Sequence, residues 1–403
     1  MRHFPVYTVT PKAEKSLRHG HPWVFAEEIT HADPSQNGDL VDVRSAKGAY
    51  LGTGWTSEKS KIRVRILSTN ANDTFDASFF ARRIRYALEY RRCVMGDDFR
   101  ACRLIFGESD QFPGLVVDRF EDVLVAQVMS YGLECRKAMI FELIVRTLRE
   151  MGETIHAIYE RGDVATRALE GLEQSKGFYP LDGLSTDLNG HVEISENGVY
   201  FDVDYINGQK TGYFLDQKYN RRAIMQIAKG RRVLDCFTHT GAFALHAAKG
   251  GAQHVTAVDI SQTAIDQAAA NARRNQLDIE FVCRNVFELL TERYEKNIKT
   301  DDLIILDPPA FTKSHATARD AYRGYKEINL KAMRLLPRGG YLATCSCSHF
   351  MKDEMFREML LDAAYDAAVS LKQIEARQQG PDHPIMLNIP ETNYLKFYIF
   401  QVI

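Results

Sequence analysis

The sequence predicts an α/β protein whose carboxy-terminal half is a doubly wound parallel sheet. A small β-barrel-like module and a mixed central segment precede it. Three observations carry this. From about residue 195 onward, apolar strand-like runs alternate with helical patterns at a spacing suited to βα units. Residues 1–70 hold short alternating or β-branched runs broken by Asn37-Gly38 and Lys47-Gly48. Between these regions, patterns of both kinds mix. The boundaries fall at 1–70, 71–185 and 186–403.

In chain order, Leu40–Arg44, Ala49–Thr53 and Ile62–Ile66 read as strands of the first module. Asp76 to Val94 turns helical, with Phe79, Phe80, Ile84, Ala87, Leu88 and Tyr90 at three- and four-residue spacing. Leu115–Asp118 and Val123–Val128 read as a hairpin, Lys137–Met151 as an amphipathic helix and Ala157–Tyr159 as a strand. Residues 170–192 are Gly-rich and suit a connection. The final region then gives strand Val233–Phe237, helix Thr240–Lys249 and strand Val255–Asp259. A helix capped by Ser261 follows, and then strands Ile279–Val282, Leu303–Leu306 and Tyr341–Thr344.

Composition excludes several classes. A chain of 403 residues, 45% hydrophobic and 26% charged, is an ordinary globular protein of two or three domains. No apolar run is long enough to span a bilayer. The run Met1–Tyr7 lacks the apolar core of a secretory leader, so a cytoplasmic protein with no membrane partner is expected. The seven cysteines are odd in number and scattered, which argues for reduced thiols. Cys345 and Cys347 are the one close pair, and without two further ligands at matching spacing no metal is expected. The net charge of −2 gives no global sign of nucleic-acid binding. Residues 209–232, however, hold seven Lys/Arg against one acid, and residues 81–103 seven against three. Such stripes suit phosphate contacts or a solvated helix face.

Ligands of doubly wound sheets sit at the carboxyl ends of the strands. Asp235-Cys-Phe-Thr-His-Thr-Gly241 ends the first strand and Asp259 the second, where an acid suits both ribose hydroxyls of an adenosine group. A dinucleotide loop needs three glycines for the pyrophosphate, and this loop has only Gly241. S-adenosylmethionine carries no phosphate and fits better. Asp235, Phe237, Thr238, Thr240, Gly241, Asp259 and Ile260 are its candidate contacts. Asn285 and Val286 after the third strand, and Asp307 after the fourth, complete the set.

Two runs point to the chemistry. Leu306-Asp-Pro-Pro-Ala-Phe311 and Thr344-Cys-Ser-Cys-Ser348 bring a carboxylate and a thiol to the ends of neighbouring strands. A thiolate attacks a pyrimidine ring at C6, and a nearby acid steadies the ring as charge develops.

The chain resembles the PUA-domain cytosine-C5 methyltransferases of large-subunit (23S) ribosomal RNA. The marks are His21–Phe25, Phe106–Leu115, Lys210–Gln217, Asp307–Phe311, Arg323–Lys326 and Ser346–Ser348, six in order over nearly the whole length. The resemblance implies an RNA-binding PUA module, a central α/β domain and a Rossmann-like class I methyltransferase domain. It makes Cys347 the nucleophile, with Asp307 beside it, and rRNA the partner. Pro308, Pro309 and Phe311 are then expected at the target base. Lys210, Thr211, Arg221 and Arg222 are expected to cover the cofactor and grip RNA, although a basic lid that only packs on the sheet fits the same residues. Trp23 and Phe25 are expected in the module's core. Two departures stand out: Asn285 where an Asp is usual, and Ala310 where a polar residue often follows Pro-Pro. A homodimer is compatible with the sequence but nothing requires it. The competing readings are methylation of another base atom (guanine N7 or an exocyclic amine) and a non-catalytic ribosome-assembly protein.

Overall fold

A computed structural model of the chain describes residues 3–312 and 318–403. Met1 and Arg2, the first residues of the amino-terminal run, lie outside it. By its contacts the chain forms two compact units. The first comprises Met1–Ile194, Asp202–Leu215 and Pro381–Thr392, the second Ser195–Phe201, Asp216–Gly380 and Asn393–Ile403. Among the described residues no helix is long and apolar enough to cross a membrane.

The first unit begins with strands β1 (Val6–Val9), β2 (Trp23–Phe25), β3 (Ile29–Ala32), β4 (Leu40–Ser45), β5 (Tyr50–Thr56) and β6 (Ile62–Ser68). They form a six-stranded sheet ordered β2-β6-β5-β4-β1-β3. Helix α1 (Pro11–Arg18) starts at Thr10, whose hydroxyl accepts from the Ala13 amide, and it buries Ala13 and Leu17 against Val9, Val24, Val41, Val43 and Val64. Gly54 is required by close approach, because a Cβ there would lie 2.0 Å from the Arg65 carbonyl oxygen on the paired strand. Trp23 and Phe25 are half-buried, and the Trp23 indole donates to Glu108 at 3.0 Å.

Helix α2 (Ala77–Met95) follows the predicted span. Asp76 caps it by accepting from Phe79 N, and Phe79, Phe80, Ile84, Ala87 and Leu88 form its buried face. Then come β7 (Ala101–Phe106), β8 (Leu115–Phe120), β9 (Val123–Val128), α3 (Tyr131–Glu134), α4 (Lys137–Glu150), β10 (Ala157–Arg161), α5 (Thr166–Leu169) and β11 (Lys176–Phe178). The five-stranded sheet runs β11-β10-β9-β8-β7. The hairpin expected at 115–128 is β8–β9, antiparallel and buried along its length. Residues 170–192 are more than a connection, since they supply β11 and the start of the next hairpin. Buried Arg91 and half-buried Arg103 are satisfied here by carboxylates. Arg91 clasps Asp110 and donates to the Asp382 carbonyl, and Arg103 forks onto Asp118.

The second unit holds the doubly wound sheet. Strands β12 (His191–Glu196) and β13 (Val199–Asp204) pair as a hairpin whose tip belongs to this unit. Helix α6 (Lys218–Ile227) leads into β14 (Arg232–Cys236), α7 (Ala242–Lys249), β15 (His254–Asp259), α8 (Gln262–Arg274), β16 (Glu280–Cys283) and α9 (Val286–Glu295). The remaining elements are β17 (Leu303–Leu306), α10 (Ala318–Leu335), β18 (Tyr341–Ser346), α11 (Asp353–Ala367), β19 (Leu371–Arg377) and β20 (Lys396–Val402). The seven strands are ordered β16-β15-β14-β17-β18-β20-β19. The first five are parallel, because each apolar strand returns through a helix. Strand β20 inserts antiparallel between β18 and β19, a feature the sequence reading did not contain. Chain order reverses on either side of β14, which pairs with β15 and β17. Such a switch point opens a crevice at the carboxyl ends of the strands.

Candidate active site

The loop after β14 is built around a caged carboxylate. Asp235 is fully buried, and its Oδ2 accepts from the Thr238 hydroxyl (2.5 Å) and the Ala244 amide (3.0 Å). Its Oδ1 is buried with no hydrogen-bond partner. Burial pushes this carboxyl up to about 7; the Thr238 bond opposes the rise and the charge of Asp307 adds to it. The backbone beyond it is strained. Phe237 (φ 64°) and His239 (φ 50°) are left-handed without being glycine, and Gly241 (φ 84°) opens α7. A Cβ on Gly241 would stand 2.6 Å from the Leu245 side chain. Strain of this kind persists where the surroundings enforce it, commonly at ligand sites.

Asp259 ends β15 half-buried and accepts from His239 N and Ser261 N, each at 2.9 Å. The first bond ties the two loops together. Ile260 beside it is 70% exposed, an unusual position for a large apolar side chain unless something flat covers it. Asn285 caps α9, its carbonyl oxygen accepting from Phe287 N. Val286 is buried in the sheet's core, so Phe237 and Phe287, whose rings lie 6.3 Å apart, are the apolar groups left at the rim.

An orphaned acceptor, a strained glycine-containing turn, a half-buried acid after the second strand and an exposed apolar side chain beside it fit the parts of S-adenosylmethionine. Its ammonium suits the Asp235 region, its ribose diol suits Asp259, and its adenine suits Ile260 and the Asn285 turn. Thr238 and Thr240 are buried and shape the turn; the Thr240 carbonyl accepts from Asn271. Among the described residues no group of three or more His, Cys, Asp or Glu is arranged to hold a metal ion.

Across the switch point lie Asp307 and the paired cysteines. Leu306 of β17 stands opposite Thr344 of β18, so Asp307 and Cys345 each lie one residue past that pair. Asp307 is half-buried, accepts from Gln217 Nε2 at 3.2 Å and interacts with the Cys345 thiol. Gln217 is itself held by Asn220, whose amide donates to its Oε1 at 2.6 Å. Cys345 is fully buried, and burial drives its thiol well above the ordinary range. Cys347 lies past the end of the strand and is partly exposed. Its neighbours are pinned. Ser346 Oγ bonds Tyr325 (3.1 Å), and Ser348 Oγ donates to the Thr312 carbonyl (3.1 Å). The loop therefore presents the second sulfur and hides the first.

Pro308 is buried and Pro309 exposed, and the Phe311 ring packs 4.6 Å from Tyr325 and 5.7 Å from Phe287. The basic residues divide. Arg222 is exposed over the Tyr219 ring. Arg221 is 2% exposed and forked onto buried Glu196, which corrects the expectation that it grips phosphate. Lys210 and Thr211 belong to the first unit. Lys210 is exposed above Phe214, whereas Thr211 is buried and donates to Asp118 at 2.6 Å. Thr211 is thus an internal strut, not a substrate contact. Gln217 was missed as a site residue, although it closes the Lys210–Gln217 run.

A family model for S-adenosylmethionine-dependent methyltransferases matches residues 178–400, and one for PUA-like domains matches residues 8–69. Ribosomal RNA large subunit methyltransferase I of Aeromonas salmonicida (strain A449) is 42% identical over 388 residues, covering 95% of this chain and 96% of the relative. The protein of that name from Pseudoalteromonas translucida (strain TAC 125) is 41% identical over 394 residues, covering 96% and 97%. A Streptococcus mutans chain described as a SAM-dependent methyltransferase shares the fold with a TM-score of 0.80 at 22% identity, covering 98% of this chain and 99% of that one. SMU.776, described as a methyltransferase and solved with SAH, gives 0.82 at 21% identity with the same coverage.

Proposed function

The chain belongs to the ribosomal RNA large subunit methyltransferase I family and carries its S-adenosylmethionine-dependent methyltransferase domain, and from that premise we propose that it methylates C5 of a cytosine in 23S rRNA through a covalent adduct with Cys347. The observation that carries this reading is the partly exposed Cys347 just past the end of β18, with the Asp307 carboxylate just past the end of the neighbouring parallel strand β17. We assign RNA binding to residues 1–70, a central domain to 71–185 and the transferase to 186–403, acting in the cytoplasm.

C5 of cytosine is a poor nucleophile. Addition of the Cys347 thiolate to C6 moves electron density onto C5. Asp307, steadied by Gln217, meets N3 and the exocyclic amine as the ring gains charge. Bound S-adenosylmethionine supplies an electrophilic methyl group on a sulfonium. Asp235, Phe237, Thr238, Thr240 and Gly241 frame the cofactor's amino-acid end, Asp259 and Ile260 its ribose and adenine, and Asn285 the adenine edge. Pro308, Pro309 and Phe311 border the target base, which must leave its stack to arrive there. Exposed Lys210 and Arg222 serve phosphate.

The test is methylation of 23S rRNA lacking the modification, followed by nucleoside digestion and mass spectrometry. The expected product is 5-methylcytosine. Methyl label on guanosine or on an exocyclic amine overturns the reading.

The caged Asp235 gives a second expectation. Its carboxyl is raised to about 7 in the free protein, and a cation placed against it favours the ionised form. Cofactor binding therefore expels a proton from part of the population, and affinity rises as pH climbs through about 7. Calorimetric titration with SAH across that interval checks this. Asp235→Asn is expected to flatten the profile; a flat wild-type profile refutes the assignment.

A further inference from the structure

The proposed chemistry leaves one charged group at the nucleophile without a role. Lys396 opens β20 and is only 7% exposed. Its Cα stands opposite Ser346 in the antiparallel register. Its Nζ donates to the carbonyls of Ser348 (2.7 Å) and Tyr394 (2.9 Å). Ser346, its register partner, lies just before Cys347, and Ser348, whose carbonyl its ammonium reaches, lies just after, so the Lys396 side chain runs alongside that residue.

A buried ammonium is costly unless something negative answers it, and two neutral carbonyls do not neutralise a charge. Burial brings Lys396 down to about 8, and Cys347 and then Asp353 are the groups whose negative charge holds its proton on. At neutral pH it is a cation. The other titratable neighbours give a thiolate no help. The Tyr325 hydroxyl on α10 is itself pushed up by burial and by Cys347. Cys345 is raised first by burial and then by Asp307 and Cys347. His349, two residues along, is exposed.

We propose that Lys396 is the positioning residue that keeps Cys347 ionised, its ammonium fixed between two carbonyls as the thiolate's counter-charge. This rests on the reading of Cys347 as nucleophile. The Sγ–H proton leaves to water before substrate arrives. The sulfur pair then forms the Sγ–C6 bond while the C5–C6 π pair moves to C5 and takes up the methyl group, whose bond to the sulfonium breaks with its pair left on the donor sulfur, giving SAH. After C5 loses its proton to a base, the C5–C6 double bond re-forms and the Sγ–C6 bond breaks with its pair returning to sulfur. The departing thiolate meets the same ammonium, which makes it a better leaving group.

The first measurement needs neither RNA nor cofactor. Iodoacetamide alkylation of Cys347 in the full chain, followed by peptide mass spectrometry over about pH 6 to 9.5, reads the thiol midpoint against the ordinary value of about 8.5. The wild type is expected below that value. Lys396→Met is expected to raise the midpoint by about one unit or more, slowing alkylation near neutral pH about tenfold, while Lys396→Arg retains most of the wild-type rate. An unchanged midpoint in Lys396→Met that still folds and binds SAH overturns the proposal. Should that variant not fold, a wild-type midpoint at or above about 8.5 overturns it, and a lower one that Lys396→Arg preserves upholds it. Formation of 5-methylcytosine by Cys347→Ala sinks the covalent reading itself, whatever the alkylation shows. An unmoved midpoint with Cys347-dependent methylation sinks only the role of Lys396.

Discussion

Replacing Cys347 by alanine is expected to lower methyl transfer to 23S rRNA by on the order of 10³-fold or more while leaving SAH binding unchanged. The size follows from the chemistry. Without a nucleophile at C6, C5 has no electron density to offer, and positioning by Asp307 cannot replace a missing bond. The selectivity follows from the geometry. Cys347 lies past the end of β18, while the strained turn and Asp259 occupy the ends of β14 and β15. Single-turnover transfer of labelled methyl groups, with calorimetry on the same preparation, checks both halves. Cys345→Ala is the matching control. Its sulfur is fully buried, so that change is expected to act through packing and through its contact with Asp307. Activity within a few-fold of wild type in Cys347→Ala would remove the adduct from the mechanism.

The largest effect on stability is expected from Glu196→Ala. Glu196, at the tip of the β12–β13 hairpin, is 0% exposed, and Arg221 of α6 reaches it with Nε at 2.5 Å and Nη2 at 2.8 Å. His246 of α7 lies 3.5 Å away, also buried. The His246 Nδ1 atom is 2.7 Å from the Ala242 carbonyl and Nε2 is 3.2 Å from the Asn197 amide, the arrangement of a neutral ring whose burial lowers its pKa. Removing the carboxylate strands the Arg221 guanidinium in the interior, at a cost of about 3–5 kcal/mol. Substituting both Glu196 and Arg221 with Met is expected to cost less than the single change.

The pH dependence has a definite sign. Burial pushes Glu196 up, but the charge and hydrogen bonds of Arg221, with the charge of Lys218, outweigh it and leave the carboxyl below its ordinary value. A lowered folded-state pKa means the contribution is complete above the unfolded value of about 4.3 and fades as pH falls through the folded one. Urea denaturation of wild type and Glu196→Ala should therefore differ most near neutrality and converge in acid. A difference under about 1 kcal/mol at neutral pH would refute the argument.

How much of this was legible in the sequence depended on whether a local pattern also carried its surroundings. Strands β14, β15, β17 and β18 were read correctly because buried parallel strands are continuous apolar runs bounded by turns. The Asp76 and Ser261 caps were equally plain, since their effect is confined to one helical turn. Asp235, Asp307 and Cys347 were placed by their positions at strand ends. Other features depended on partners far away in the chain. Arg221 and Arg222 look alike in the sequence, yet one meets Glu196 inside the protein and the other is exposed. Thr211 needed Asp118, and Gln217 needed both Asn220 and Asp307. Strand β20 was overlooked although Phe397–Val402 is an apolar run, because it follows a long irregular stretch and runs against the parallel pattern. Lys396 was overlooked with it.

The segment Pro381–Thr392 leaves the second unit's chain between β19 and β20 to become part of the first. Asp382 accepts from the Arg103 amide, and its carbonyl serves buried Arg91. During synthesis, then, the first unit gains these two bonds only once Asp382 has been made. A chain cut short before Pro381 would lose more than the antiparallel strand β20. It would also lack the piece that completes a unit translated long before.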